Sequence, residues 1–173
     1  MPSTTPFPAY SARLVFQPVT EHDFPELLMV YNSNPDYMEF AFGKRVVTLQ
    51  TVADDHQDNL AFADSYSFSI REVHGTEIIG IAQFILRNPR DGQPWLGLIM
   101  LHSAYQSHGY AREFLDTLIA WYRENGYTSL HLAVLEKNSR VVPFYERYGF
   151  AVYEERETEK IGRVICMKYS IQS

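Results

Sequence analysis

At 173 residues the chain is long enough to bury a substantial core in one domain without metals or crosslinks. A composition of 46% apolar, 14% aromatic and 21% charged residues belongs to a folded globular protein, and no apolar stretch approaches the roughly 20 residues that cross a bilayer. The net charge of −6 sits wholly in the front third, where residues 1–64 hold nine carboxylates against three bases, so the chain lacks the basic face that nucleic acids require. That acidic front would favour a cationic ligand, and it equally serves as a solvated surface.

Residues 1–10 begin Met1-Pro2-Ser3-Thr4 and lack the basic start and apolar middle of a signal peptide, so they read as a flexible lead-in to a cytoplasmic protein. Ala12 to Pro18 alternates apolar and polar as a first strand does. Thr20, with Asp23 three positions on, caps a helix whose apolar stripe is Phe24, Leu27, Leu28 and Tyr31, and Asn32-Ser33-Asn34-Pro35 ends it. Tyr37 to Val47 is aromatic and irregular and reads as a loop; Thr48 then caps a second helix to about Ala61. Ser67–Val73, Glu77–Leu86 and Pro94–Leu101 form an antiparallel meander around the turns His74-Gly75-Thr76 and Asn88 to Gly92.

Tyr110 to Asn125 is the clearest helix, with Phe114, Leu115, Leu118, Ile119 and Tyr122 on one face and Asn125-Gly126 as its stop. Ser129–Leu135 carries little charge and belongs in the middle of a sheet. A helix over Ser139–Tyr148 and strands over Val152–Glu157 and Arg163–Ile171 complete the chain. Its single cysteine, Cys166, lies in an apolar run, excludes an internal disulfide and reads as a small core residue. The resulting order, β-α-α-β-β-β-α-β-α-β-β, predicts a single α+β domain with a mixed, mostly antiparallel sheet flanked by helices. The six histidines are scattered without ligand-like spacing, so no metal site is predicted.

Two segments carry chemistry. Gln106-Ser107-His108-Gly109-Tyr110-Ala111 follows an apolar strand and opens a helix. Such a loop leaves main-chain N–H groups without internal partners, aimed together at the positive end of the helix dipole, which suits a phosphate or pyrophosphate. Without a ligand it is a tight strand-to-helix turn. About 30 residues further on, Asn138 to Phe150 supplies the second segment, Asn-Ser-Arg-Val-Val-Pro-Phe-Tyr-Glu-Arg-Tyr-Gly-Phe.

Together with the opening Leu14 to Tyr31, these segments resemble the GNAT superfamily of acyl-CoA-dependent N-acetyltransferases over nearly the full chain. The first is similar to that family's loop pattern Gln/Arg-x-x-Gly-x-Gly/Ala. The second is similar to its Asn followed seven positions later by Tyr and then Gly-Phe. The resemblance implies an acetyltransferase domain over residues 11–173, acetyl-CoA as co-substrate, a primary amine as acceptor, and direct transfer in a ternary complex. It assigns the pyrophosphate to the main-chain amides of Ser107, His108, Gly109, Tyr110 and Ala111, and the pantetheine arm to the main chain of Ile99, Met100 and Leu101. Gln106 and Arg112 flank the loop as assisting cofactor contacts, with a solvated first-turn side chain the alternative for Arg112. Asn138 would touch the cofactor, cap its own helix, or both. Tyr145 would donate a hydrogen bond or proton to the departing thiolate, or else serve as a core aromatic.

A charged alkyl amine must first lose a proton, at a cost of roughly 4–5 kcal/mol at pH 7. Some family members place a glutamate on the fourth strand as base, but here that strand reads Trp95-Leu96-Gly97-Leu98-Ile99-Met100-Leu101. Water, Glu39, His102 and His131 remain as candidates. Tyr31, Tyr37, Glu39 and Phe40 are the expected acceptor-binding residues, and the family admits a homodimer through Val152 to Ile171. A non-catalytic acyl-CoA sensor is the second reading. A nucleotide-binding protein is disfavoured by the lack of a Lys-Ser/Thr pair after the glycine loop.

Overall fold

The computed structural model describes residues 5–172. Seven strands and five α-helices follow one another as β1 (Leu14–Pro18), α1 (Phe24–Asn32), α2 (Pro35–Phe42), α3 (Leu49–Leu60), β2 (Ser65–Glu72), β3 (Gly80–Ile85), β4 (Trp95–Leu101), α4 (Tyr110–Glu124), β5 (Ser129–Leu135), α5 (Val142–Tyr148), β6 (Ala151–Thr158) and β7 (Gly162–Ser170). One sheet of order β1-β2-β3-β4-β5-β7-β6 contains them all, antiparallel except at β4–β5. The α+β architecture expected from the sequence is the one observed.

Side-chain alternation along the strands gives the sheet two apolar faces. One packs on α4, where Phe114, Leu115, Leu118, Ile119, Trp121 and Tyr122 are buried against Phe16, Phe84, Leu130, Leu132 and Met167. The other meets α1 to α3 through Leu27, Val30, Tyr31, Met38 and Val52 on Ile81 and Met100. A smaller cluster of Ile85, Trp95, Leu135, Val164 and Cys166 continues that face, so Cys166 is a core residue as its apolar context predicted.

The structure corrects the chain reading in three places. Tyr37 to Val47 is not all loop: Pro35–Phe42 is a helix, begun by a proline at its first position and ended by Gly43 in the left-handed region at φ 77°. Asn34-Pro35 therefore ends one helix and starts the next. Thr20 opens a 3₁₀ turn, Glu21–Asp23, ahead of α1, with its N–H donating to Asp23 Oδ2 at 2.9 Å. The helix expected over Ser139–Tyr148 is a 3₁₀ segment, Glu136–Val141, followed by α5.

Within residues 5–10, expected as part of a lead-in, Phe7 packs against the core and Thr5 is tied to α4. The Trp121 indole donates to the Thr5 carbonyl at 2.8 Å, and the Phe7 ring stacks 4.9 Å from Phe68 and lies 5.4 Å from Trp121. An aromatic side chain with an open slot between sheet and helix gains more by burial than the segment loses in freedom. The expected lead-in over residues 1–4 lies outside the described residues.

Phe84 anchors this cluster: it is fully buried, with six aromatic rings between 5.0 and 6.4 Å away. Phe84→Ala should cost about 3–5 kcal/mol of folding stability, read as a lowered urea midpoint. A loss below about 1 kcal/mol would show that the cluster collapses around the gap.

Candidate active site

The parallel pair β4–β5 is short. Only Trp95↔His131 and Leu96↔Leu132 are partners. Across β4, the register to β3 runs Ile81↔Met100, Ala82↔Ile99 and Gln83↔Leu98, then jumps to Phe84↔Leu96, so Gly97 is an extra residue in a β-bulge. The bulge shifts by one which residues face each neighbour, and pairing with β5 stops there. Beyond it the two strands part around a cleft of about 640 Å³.

Strand parity shows what faces that cleft. His102 donates its N–H to the Ile79 carbonyl at 2.7 Å, and alternate residues of an antiparallel strand turn their main-chain groups the same way. Met100 and Leu98 are therefore bonded to β3, whereas Ile99 and Leu101 turn theirs toward β5. The Leu101 carbonyl already accepts Asn34 Nδ2 and Gln106 Nε2, each at 3.0 Å. On the opposite wall Ile171 N–H bonds Thr128 O and His131 N–H bonds Pro94 O, so Ala133 and Leu135 turn toward β4. Of the three β4 residues expected to serve an extended ligand, Ile99 and Leu101 face it, while Met100 contributes wall and buried side chain.

At one end of the cleft lies the loop 106–111. None of the main-chain N–H groups from Ser107 to Arg112 has a hydrogen-bond acceptor among the described residues. Ser107 and Gly109 both adopt positive φ, 65° and 80°, and this alternation with ordinary residues folds successive N–H groups into an anion cradle at the α4 N-terminus. The side chains of the loop mostly brace it. Gln106 reaches Asn34 Oδ1 at 2.7 Å, His108 Nδ1 lies 2.7 Å from the Gln106 carbonyl, and Tyr110 buries its ring and donates its hydroxyl to Glu72. Arg112 is exposed beside the loop, its guanidinium 5.8 Å from the Tyr148 ring centre, with no ion-pair partner among the described residues.

Beneath the cradle runs a support that the sequence did not reveal. Glu113, in the first turn of α4, accepts the Arg13 N–H at 2.8 Å, Arg13 Nε at 2.7 Å and the Ser11 hydroxyl. Arg13 in turn donates to the His108 carbonyl at 2.9 Å and lies 4.5 Å over the Tyr110 ring. Partial burial works against the charged form of Glu113, but the hydrogen bonds from Ser11 and Arg13 outweigh it and hold the carboxyl below its usual range.

The other wall comes from the segment after β5 and from α5. Asn138 breaks the 3₁₀ segment with φ −109° and ψ 27°; it caps no helix, and its Oδ1 is buried without a hydrogen-bond partner among the described residues. A buried amide oxygen left unpaired is costly, and this one borders the cleft. Tyr145 also lines the cleft, edge-on to Phe144 and Phe150 at 5.1 and 5.6 Å, and its hydroxyl makes no hydrogen bond among the described residues. Burial, then the neighbouring Tyr37, pushes its phenol well above the ordinary tyrosine range, so it keeps its proton.

The expected acceptor residues divide. Tyr37 lines the cleft from α2, its phenol pushed up to about 12 by burial and then by Asp55. Tyr31 is buried beneath it and donates to Asp55 Oδ2 at 2.5 Å. Glu39 pairs with Arg45 at 3.0 Å on the outer surface, and Phe40 packs with the Trp95 cluster. Neither histidine considered as a base borders the cleft. His102 Nδ1 accepts the Ala104 N–H at 3.1 Å. His131 lies between the hydroxyls of Ser129 and Tyr153, and burial lowers its pKa.

A strand edge open to amide-bearing chains, an anion cradle and a neutral phenol border the same cleft. The sequence from residue 13 to 151 matches the family profile described as acetyltransferase (GNAT) domain. The chain belongs to that family and is an acyltransferase. Solved structures agree at the level of fold. An acetyltransferase from Thermus thermophilus superposes with TM-score 0.74 at 22% identity, covering 94% of this chain and 98% of that one. The acetyl transferase from Salmonella typhimurium that modifies the N-terminal serine of ribosomal protein L7/L12 gives TM-score 0.75 at 15% identity, covering 96% and 99%. Spermidine N-acetyltransferase from Vibrio cholerae, in complex with CoA and spermine, gives 0.66 at 16% identity, covering 91% and 95%. Among curated proteins none matches at a significant level.

Gly109 is the conformational hinge of the cradle. At φ 80° an added Cβ would also sit 3.3 Å from Arg13 Nη2, so Gly109→Ala should lower folding stability by about 1–2 kcal/mol. Chemical denaturation reads this, and an unchanged midpoint would show that the loop relaxes at no cost.

Proposed function

We propose that the protein transfers an acetyl group from acetyl-CoA to a primary amine by direct attack in a ternary complex. The observation that carries this reading is the convergence, on one cleft, of the unpartnered N–H groups of 107–112, the open edge at Ile99 and Leu101, and the unbonded hydroxyl of Tyr145. The cradle suits the pyrophosphate and Arg112 the adjoining negative charge. The pantetheine arm, a chain of amides, pairs with Ile99 as a further strand would, and Asn138 Oδ1 accepts one of its N–H groups. Structural relatives that act on spermidine and on a protein N-terminal serine support an amine acceptor.

In the reaction the neutral amine attacks the thioester carbonyl carbon, a C–N bond forms, and the C–S bond breaks with its electron pair leaving on sulfur. The Tyr145 hydroxyl donates to that sulfur, and the proton lost by the amine goes to water. Cys166, buried in its own cluster and not part of the cleft wall, takes no part. A homodimer fits the open outer edge of β6, where Val152 and Tyr153 are 46% and 45% exposed. Among the described residues no helix is long and apolar enough to cross a membrane.

Tyr145→Phe should lower kcat by about 10–100-fold while leaving the acetyl-CoA Kd from calorimetry within about twofold. Equal turnover in the two proteins would remove Tyr145 from the chemistry. The absence of a carboxylate from the cleft wall among the described residues also suits a non-catalytic acyl-CoA sensor; acetyl-CoA binding without turnover on any amine would favour that reading.

The pH profile follows from the same features. With no side-chain base in the cleft, kcat/KM should rise about tenfold per pH unit below the acceptor amine pKa, near 10.4 for an alkyl amine. The raised pKa of Tyr145 keeps its phenol protonated throughout, so ionisation of this group should produce no falling limb up to about pH 10. A decline between about pH 8 and about pH 10 that disappears in Tyr145→Phe would contradict this.

A further inference from the structure

The charge in and around the cleft bears on the acceptor. Among the described residues, its wall has no aspartate or glutamate, and its charged members are Arg112 and Arg140. Arg112 stands by the anion cradle. Arg140 lies elsewhere, on the 3₁₀ segment after β5, where it faces α2 and approaches Asp36 Oδ2 at 3.6 Å. The carboxylates of α2, Asp36 and Glu39, are both held by Arg45, at 2.8 and 3.0 Å. Three more acidic residues, Asp54, Asp55 and Asp58, line a separate cavity of about 260 Å³ beside α3 and do not reach the cleft wall. A polycation entering past α2 would meet an arginine and no unpaired carboxylate.

Arg140 is the more loosely bound of the two guanidiniums on Asp36. It is 67% exposed, and its 3.6 Å approach is longer than a charge-assisted hydrogen bond. Exposed pairs of this kind are weak, and Asp36 retains Arg45 if Arg140 turns away. A guanidinium presents two parallel N–H groups to a carboxylate, a geometry that selects for that anion. Resting on the transfer reading above, we infer that the acceptor amine carries a carboxylate, as amino acids do, and that Arg140 receives it in exchange for Asp36. Arg140 thereby sets specificity while Tyr145 serves the leaving group.

The test compares initial rates of the full-length protein at saturating acetyl-CoA on matched amines: amino acids and ω-amino acids, their decarboxylated counterparts, and spermidine. Carboxylated amines should lead by about tenfold or more in kcat/KM. Arg140→Gln should raise their KM about tenfold, leave kcat and the acetyl-CoA KM within about twofold, and leave decarboxylated amines unaffected; Arg140→Lys should recover part of the loss. Preference of the unaltered protein for spermidine or decarboxylated amines would overturn the inference alone. So would an acetyl-CoA KM that rises in Arg140→Gln, which would give Arg140 to the cofactor phosphates. Acetyl-CoA binding with no turnover on any amine would remove the transfer reading, and this inference with it.

Discussion

A parallel pair of strands that stops after two residue pairs leaves main-chain hydrogen-bonding groups facing one another across a gap too wide to close. Buried or half-buried amides without partners are among the costlier features a fold can carry. Here the Gly97 bulge imposes the gap, because the extra residue turns the groups of Ile99 and Leu101 toward β5 where the unshifted register would have turned others. The remaining features of the site either border this opening or keep it open. On the proposed reading, an amide-rich arm laid between the strands would supply what each lacks, and its binding would follow from the defect in the sheet.

Two polar braces support the cradle end of the opening. In one, Asn34 and Gln106 bond to each other and both donate to the Leu101 carbonyl, joining the α1–α2 junction, the end of β4 and the loop before α4 at a single oxygen. In the other, Arg13 and Glu113 tie β1 to the first turn of α4 and to the His108 carbonyl. These bonds occupy side chains and carbonyls but leave the loop amides free. Positive charge from the helix dipole and the exposed Arg112 then acts on an already shaped cradle.

Much of this was legible in the sequence wherever a local pattern sufficed. The strand–loop–helix around Gly109, the amphipathic stripe of α4 and the near-apolar β5 each depend on neighbours within a turn or a pleat, and each was placed to within a few residues. Local patterns failed where one residue has two duties. Asn34-Pro35 stops α1 and also starts α2, and its aromatic continuation shows no periodicity, so the segment reads as a loop. Nothing local marks the reach of Asn34 to Leu101 or of Arg13 to Glu113, contacts spanning 67 and 100 positions. Glu39 is an acid of the right kind in the right segment, but its pairing with Arg45 depends on α2, which no periodicity in the sequence marks. Tyr37 faces the cleft and Tyr31 does not, a distinction set by how α1 and α2 cross the sheet.

The seclusion of Cys166 has a practical side. It is fully buried, and it is the sole sulfhydryl the polypeptide contains. In the native state a colorimetric reagent for sulfhydryls, such as an aromatic disulfide, therefore meets no rapidly reactive site on the enzyme itself. On the proposed reaction, a prompt yellow signal during turnover comes from the carrier released as product, so the progress of catalysis can be followed continuously without blocking or mutating the polypeptide.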